Sequence, residues 1–218
     1  MFTEEIRQKL NDGFFYERIA AIYGSESLVL YQRDRYLRLL SAFEETYGKK
    51  DVSVFSAPGR TEIGGNHTDH QHGKVLAASI HLDTIAVVAK TEDSMVRVLS
   101  EGYPEIVMDL NDLTLRPEEK ETTMALIKGI LKAFSDNGYE IGGFCACISS
   151  DVLIGAGLSS SAAFETLIGT ILSGLFNEGK IPPVKIAQIG QFAENEYFGK
   201  PCGLMDQMAS SVGGMVYI

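Results

Sequence analysis

Gly155-Ala156-Gly157-Leu158-Ser159-Ser160-Ser161-Ala162-Ala163 stands between a strand-like apolar run, Phe144–Ile148, and an apolar series at helical spacing: Ala162, Ala163, Leu167, Ile168, Ile171, Leu172 and Leu175. Glycines let a backbone approach an anion closely. The start of a helix adds unpaired N–H groups and the positive end of a dipole. The stretch therefore reads as a phosphate cradle in which Gly155, Gly157, Leu158, Ser159, Ser160 and Ser161 face the anion, and a serine hydroxyl there suits Mg²⁺. A serine-capped turn is the plainer reading, but capping does not call for three consecutive serines. No G-x-x-x-x-G-K-[ST] sequence occurs, so this is not the common P-loop.

Working outward, Leu28–Tyr47 has the periodicity of an amphipathic helix, with Leu37, Leu40, Phe43 and Tyr47 among charged residues. Val52–Ser56 alternates like a strand and is expected to break at Ala57-Pro58-Gly59. A polar loop, Arg60–Gly73, follows. Four short β-like runs come next, near Val75–Ile80, Thr84–Lys90, Met95–Ser100 and Glu105–Leu110, and predict a mostly antiparallel sheet. Helices are expected over Thr122–Phe134 and after Pro183, and Gly213–Ile218 reads as the beginning of a strand. With no repeat and no long linker, one α+β domain is the expectation.

The 218 residues are 45% apolar, enough for a buried core. A net charge of −10 argues against a nucleic-acid partner, whose phosphates need clustered Lys and Arg. It does not argue against one small anionic ligand held by backbone N–H groups. No apolar run of membrane-spanning length and no signal-peptide layout is present, and Cys145, Cys147 and Cys202 form no CxxC pair. These features point to a cytoplasmic protein without a membrane partner.

Two further stretches carry polar chemistry. Gly59-Arg60 and then Gly65-Asn66-His67-Thr68-Asp69-His70-Gln71-His72-Gly73 supply the donors and acceptors that a sugar requires. Three of the four histidines lie there, so a transition-metal site is a competing reading. On an extended backbone, however, His67 would point away from His70 and His72. In Pro201-Cys202-Gly203-Leu204-Met205-Asp206-Gln207, Asp206 sits among apolar and small residues, as a proton acceptor or as a helix N-cap. Glu194 alone reads as a solvated helix-face charge.

Taken together, Ala57-Pro58-Gly59-Arg60 through His67-Thr68-Asp69, the Gly155–Ala163 loop and Cys202-Gly203-Leu204-Met205-Asp206-Gln207 resemble, in order, motifs of the galactokinase family within the GHMP small-molecule kinases. The resemblance runs from about Val52 to Ile218 and implies a domain like the second domain of ribosomal protein S5, a mixed sheet packed against helices. It implies ATP and Mg²⁺ as cofactors and a monosaccharide, galactose or a relative, phosphorylated at its C1 hydroxyl. By similarity Asp206 is the catalytic carboxylate and Arg60 the cation that meets phosphoryl charge. Ser161 and Glu194 fall at the Mg²⁺ positions, and Asn66, His67, Asp69 and Gly203 fall in the sugar site.

Departures are equally specific. Galactokinases usually carry Asn at the position of Glu62, Glu at that of Asn66 and Tyr at that of His70. The alternative function is an inactive sugar- and nucleotide-binding regulator on the same fold, although retention of Arg60, Ser161, Glu194 and Asp206 favours the enzyme. The resemblance divides the chain into a helical extension, 1–50, and a GHMP N-terminal domain, 51–218, with the C-terminal domain absent. Little turnover by residues 1–218 alone, and self-association through the surface left uncovered, are therefore expected.

Overall fold

Alternation along the central strands explains the architecture. In Ile85-Ala86-Val87-Val88-Ala89 every residue is buried, because successive side chains point to opposite faces and both faces are covered. Ala86 and Val88 join one core with Leu167, Ile168, Ile171, Ile127 and Ile130. Ile85, Val87 and Ala89 join a second core with Ile6, Leu10, Ile19, Leu39, Leu40 and Phe43. The sheet is thus the middle layer between two helical layers.

The computed structural model describes residues 1–218. Helices α1 (Thr3–Asn11), α2 (Tyr16–Tyr23) and α3 (Val29–Tyr47) form one outer layer. The sheet contains β1 (Ser53–Gly64), β2 (Leu76–Lys90), β3 (Met95–Ser100), β4 (Ile106–Asp109), β5 (Phe144–Ser150) and β6 (Met215–Tyr217). Its order is β1-β2-β5-β3-β4, with β6 also paired to β2. All pairings are antiparallel except β3 with β5, so the sheet is mixed. The other helical layer holds α4 (Thr123–Asp136), α5 (Ser160–Phe176) and α6 (Pro183–Phe192); a π-helical turn (Ala193–Phe198) and α7 (Met205–Val212) follow. No helix is long and apolar enough to cross a membrane.

Two expectations require correction. Ala57-Pro58-Gly59 does not end the first strand, because β1 absorbs it as an irregularity between Pro58 and Arg60 and continues to Gly64. Val75–Ile80 and Thr84–Lys90 are one strand, β2, since the His81-Leu82-Asp83 interval is not a turn. Asp83 looks like a loop residue but is buried against Arg35 of α3, itself 1% exposed at its side chain. Arg35 Nη1 lies 2.6 Å from Asp83 Oδ1 and 3.0 Å from Asp151 Oδ2, and Nη2 donates to the carbonyls of Asp83 and Ser149. Tyr23 and Ser56 donate to Asp83 Oδ2. A polar knot therefore fastens the first helical layer to the sheet.

Candidate active site

The irregularity in β1 is what assembles the site. At this bend the Arg60 N–H donates to the Leu158 carbonyl at 3.1 Å, laying the glycine-rich loop across the strand. Gly59 permits that approach, since a Cβ there would stand 2.8 Å from Leu158 O. Ser210 of α7 donates to the Pro58 carbonyl at 2.6 Å, so the same bend anchors the helix that carries Asp206. Val75, Ala77, Met205, Ala209 and Val216 pack into a small core beneath α7.

The Arg60 side chain then joins the two halves. Its Nε donates to Asp206 Oδ1 at 2.7 Å and its Nη1 to the Gly157 carbonyl at 2.6 Å. Ser159 Oγ donates to Asp206 Oδ2. Asp206 therefore does not sit in the apolar setting that its neighbours in sequence suggest; it is an ion-paired, hydrogen-bonded carboxylate. Nor is it an N-cap, since Leu204 holds that position in α7. Ser159 has φ +57°, in the left-handed region, between Gly157 at +72° and the first turn of α5. That backbone strain turns its hydroxyl to Asp206 and leaves the first N–H groups of α5 free for an anion.

The His67 loop closes another side. Asn66, His67 and His72 all have positive φ, and Thr68–Gln71 forms a 3₁₀ turn, so the backbone is not extended. Contrary to the extended-backbone expectation, His67 is gathered with Asp69 and His70, their ligand atoms within 4.8 Å of one another. Glu62 Oε1 accepts the His67 N–H at 2.8 Å and braces the bend. Asp69 contacts His67 Nδ1 at 3.1 Å through Oδ1 and accepts the Met205 N–H at 2.9 Å through Oδ2. Burial alone would raise the Asp69 carboxyl, but the Met205 N–H and His67 outweigh it and hold it below its ordinary value. Gly203 makes room: a Cβ there would lie 1.9 Å from Asp69 Oδ2. His67 Nε2 is in turn 3.5 Å from Asp206 Oδ1.

Behind the loop, Glu194 is not a solvated charge. It lies buried on the π-helical turn, with Ser161 Oγ 3.4 Å from its Oε1. The pair is an all-oxygen donor set beside a helix N-terminus, which suits Mg²⁺ shared with a phosphate. Lys200 Nζ is 3.6 Å from the same oxygen. Two further residues here escape sequence reasoning, Glu165 of α5 and Gln207 of α7. Gln207 donates to both Glu165 and Glu194. Burial and the Glu194 charge push the Glu165 carboxyl well above the usual carboxylate range. The available signals were a lone acid one helical turn beyond Ser161 on an apolar helix, and the Gln adjoining Asp206.

A mixed sheet between helical layers, with a glycine-serine loop meeting a carboxylate at the start of another helix, is the architecture of the GHMP kinase N-terminal domain. That family's N-terminal domain matches residues 125–214, and the galactokinase galactose-binding signature matches residues 41–90. The galactokinases of Clostridium tetani and Clostridium beijerinckii are 35% and 37% identical over 80% of this chain. The crystal structure of Lactococcus lactis galactokinase complexed with galactose superposes with a TM-score of 0.72 at 34% identity, over 78% of this chain and 44% of that one. The Methanococcus jannaschii mevalonate kinase shares the fold, with a TM-score of 0.65 at 20% identity over 77% of this chain and 53% of its own. The chain thus carries the galactose-binding signature of galactokinases and a GHMP kinase N-terminal domain, and it is similar to curated galactokinases. It spans 44% and 45% of the lengths of the two Clostridium relatives.

Proposed function

We propose that this chain supplies the substrate-activating machinery of an ATP-dependent monosaccharide kinase that phosphorylates galactose or a related sugar at its C1 hydroxyl. The observation that carries the reading is the junction at Asp206, where a carboxylate held by Arg60 and Ser159 meets both the glycine-serine loop and the His67–Asp69 loop. A carboxylate has about four lone-pair sites. Those left over after Arg60, Ser159 and His67 can accept a substrate hydroxyl. As the sugar oxygen bonds to the γ-phosphorus and the bond to the ADP oxygen breaks, Asp206 takes the proton. Arg60 offers positive charge beside the transferred group, and N–H groups from Gly155 through Ser161 cradle the phosphates. His67, Asp69, Asn66 and the Gly203 backbone orient the sugar. Ser161 and Glu194 would hold Mg²⁺, which neutralises phosphate charge when bound. On this reading residues 1–50 are a helical layer supporting a kinase domain over 51–218, and the activity belongs in the cytoplasm, where ATP is supplied.

Gly59→Ala tests the loop clamp. Overpacking against the Leu158 carbonyl costs about 1–3 kcal/mol. We expect ATP affinity to fall about tenfold, read by titration calorimetry, with the sheet still folded by circular dichroism. Unchanged affinity would mean that the loop does not need β1.

Substrate identity turns on Asn66. Asn lacks the charge of the usual galactokinase Glu, accepts one hydrogen bond and adds donors. It is also suited to its φ of +53°, a region disfavoured for most side chains. We expect galactose not to be the best substrate, with galacturonate or arabinose preferred. The measurement is kcat/KM for the three sugars, on the protein that carries this chain, with wild type and Asn66→Glu. Because Glu at this φ costs roughly 1 kcal/mol in backbone strain, the ranking of sugars is the readout. A greater than tenfold preference for galactose that Asn66→Glu leaves unaltered would defeat the inference. No phosphorylation of any sugar would defeat the kinase reading.

A further inference from the structure

Behind the cradle lies a buried polar cluster of which the reaction just described uses only Glu194. Gln207 is 0% exposed and Glu165 1%. Gln207 Nε2 donates to Glu165 Oε2 at 3.0 Å and to Glu194 Oε2 at 2.8 Å. A side-chain amide has two N–H donors, and here they reach both carboxyl groups, with Cys202 Sγ a longer contact at 3.7 Å from the same nitrogen. The cluster joins three elements, with Glu165 on α5, Glu194 on the π-helical turn and Gln207 on α7, directly after Asp206.

Space for it is built in. A Cβ on Gly190 of α6 would stand 3.1 Å from Glu165 Oε2 and 3.2 Å from Gln207 Cγ. Burying two carboxyl groups together is costly, and Glu165 Oε1 and Gln207 Oε1 remain buried without partners. An apolar core would pack this region at lower cost. The return is geometric. Glu194 has one oxygen toward Ser161 at 3.4 Å and the other gripped by Gln207, so its carboxylate plane is determined from behind.

We infer that Gln207, itself held by Glu165, is a positioning residue that aims Glu194 at the cradle and so sets how tightly magnesium-nucleotide is held. The inference rests on the kinase reading above. Gln207 has no contact with the ligand in this scheme; it acts through Glu194.

The test is titration calorimetry of the protein carrying this chain with ATP, in excess Mg²⁺ and again in EDTA. Wild type is compared with Gln207→Met, Glu165→Leu and Glu165→Gln. Gln207→Met and Glu165→Leu conserve volume and delete the hydrogen bonds. Each is expected to cut the magnesium-dependent gain in ATP affinity about tenfold, while affinity in EDTA stays within about twofold, for the loss of a hydrogen bond to a charged group. Glu165→Gln keeps an oxygen that accepts from Gln207. It is expected to restore the gain to within about threefold of wild type. The two deletions lie on different helices, so if one fails to fold the other still reads. Equal losses with and without Mg²⁺ would reduce the cluster to packing, and an undiminished gain would show that Glu194 is aimed without it; either overturns the inference alone. Wild type with no magnesium-dependent gain would instead overturn the kinase reading, and this inference with it.

Discussion

Asp206→Asn is expected to lower kcat for sugar phosphorylation about a thousandfold, within the range that general-base removal produces, while ATP binding is largely kept. An amide oxygen can still accept from Arg60 Nε, and an amide nitrogen can donate to Ser159 Oγ, so the junction stays connected. On the proposed reading, what is lost is the lone pair that would take the substrate proton. The motive differs from the one the sequence suggested. An isolated carboxylate among apolar residues would owe its basicity to desolvation, whereas this one is held by a cation and a hydroxyl. Its contribution is therefore positioning as much as basicity. Rapid-quench measurement of the first turnover, with nucleotide affinity taken in parallel, checks the expectation. Turnover at the wild-type rate would remove Asp206 from the role of base.

Arg35→Met should be the most destabilising single change away from the site, by about 3–5 kcal/mol. It removes the cation from a buried cluster and leaves Asp83, 5% exposed at its side chain, without its main counter-charge. Tyr23 and Ser56 still donate to Asp83, which draws the effect toward the lower end. The Ser149 carbonyl loses a donor as well. Urea unfolding gives the change, and a second variant explains it. Adding Asp83→Asn to Arg35→Met should recover part of the loss by removing the stranded charge. A double variant no better than the sum of its singles would show that the two residues do not act as a pair. Any fall in kcat per folded molecule should be small, because the knot lies on the opposite side of the sheet from α5.

Repacking of the outer layer and loss of the base thus separate cleanly. The first lowers the population that is folded, and the second lowers what each folded molecule does. The Gln207 cluster lies between these extremes, since it is buried like the Arg35 knot but touches a residue of the proposed site.

Much of the fold was legible before any coordinates. The helix over Leu28–Tyr47 and the one observed over Val29–Tyr47 agree because i, i+3, i+4 spacing is a local property. The Phe144–Ile148 strand, the glycine-serine loop and the helix beginning at Ser160 were likewise readable, since glycine freedom and helix periodicity act within a few residues. So was the family, through motifs that are each contiguous.

Only the tertiary structure decided which polar residues are interior and which distant groups meet. Arg35 reads as a solvated charge until Asp83, 48 positions on, is brought against it. Arg60 and Asp206 are 146 positions apart, Asp69 and Met205 136, and Glu165 and Gln207 42. A buried ion pair or amide has the same composition as an exposed one. Its meaning comes from partners supplied by other strands and helices, and from the removal of water that makes those partners obligatory.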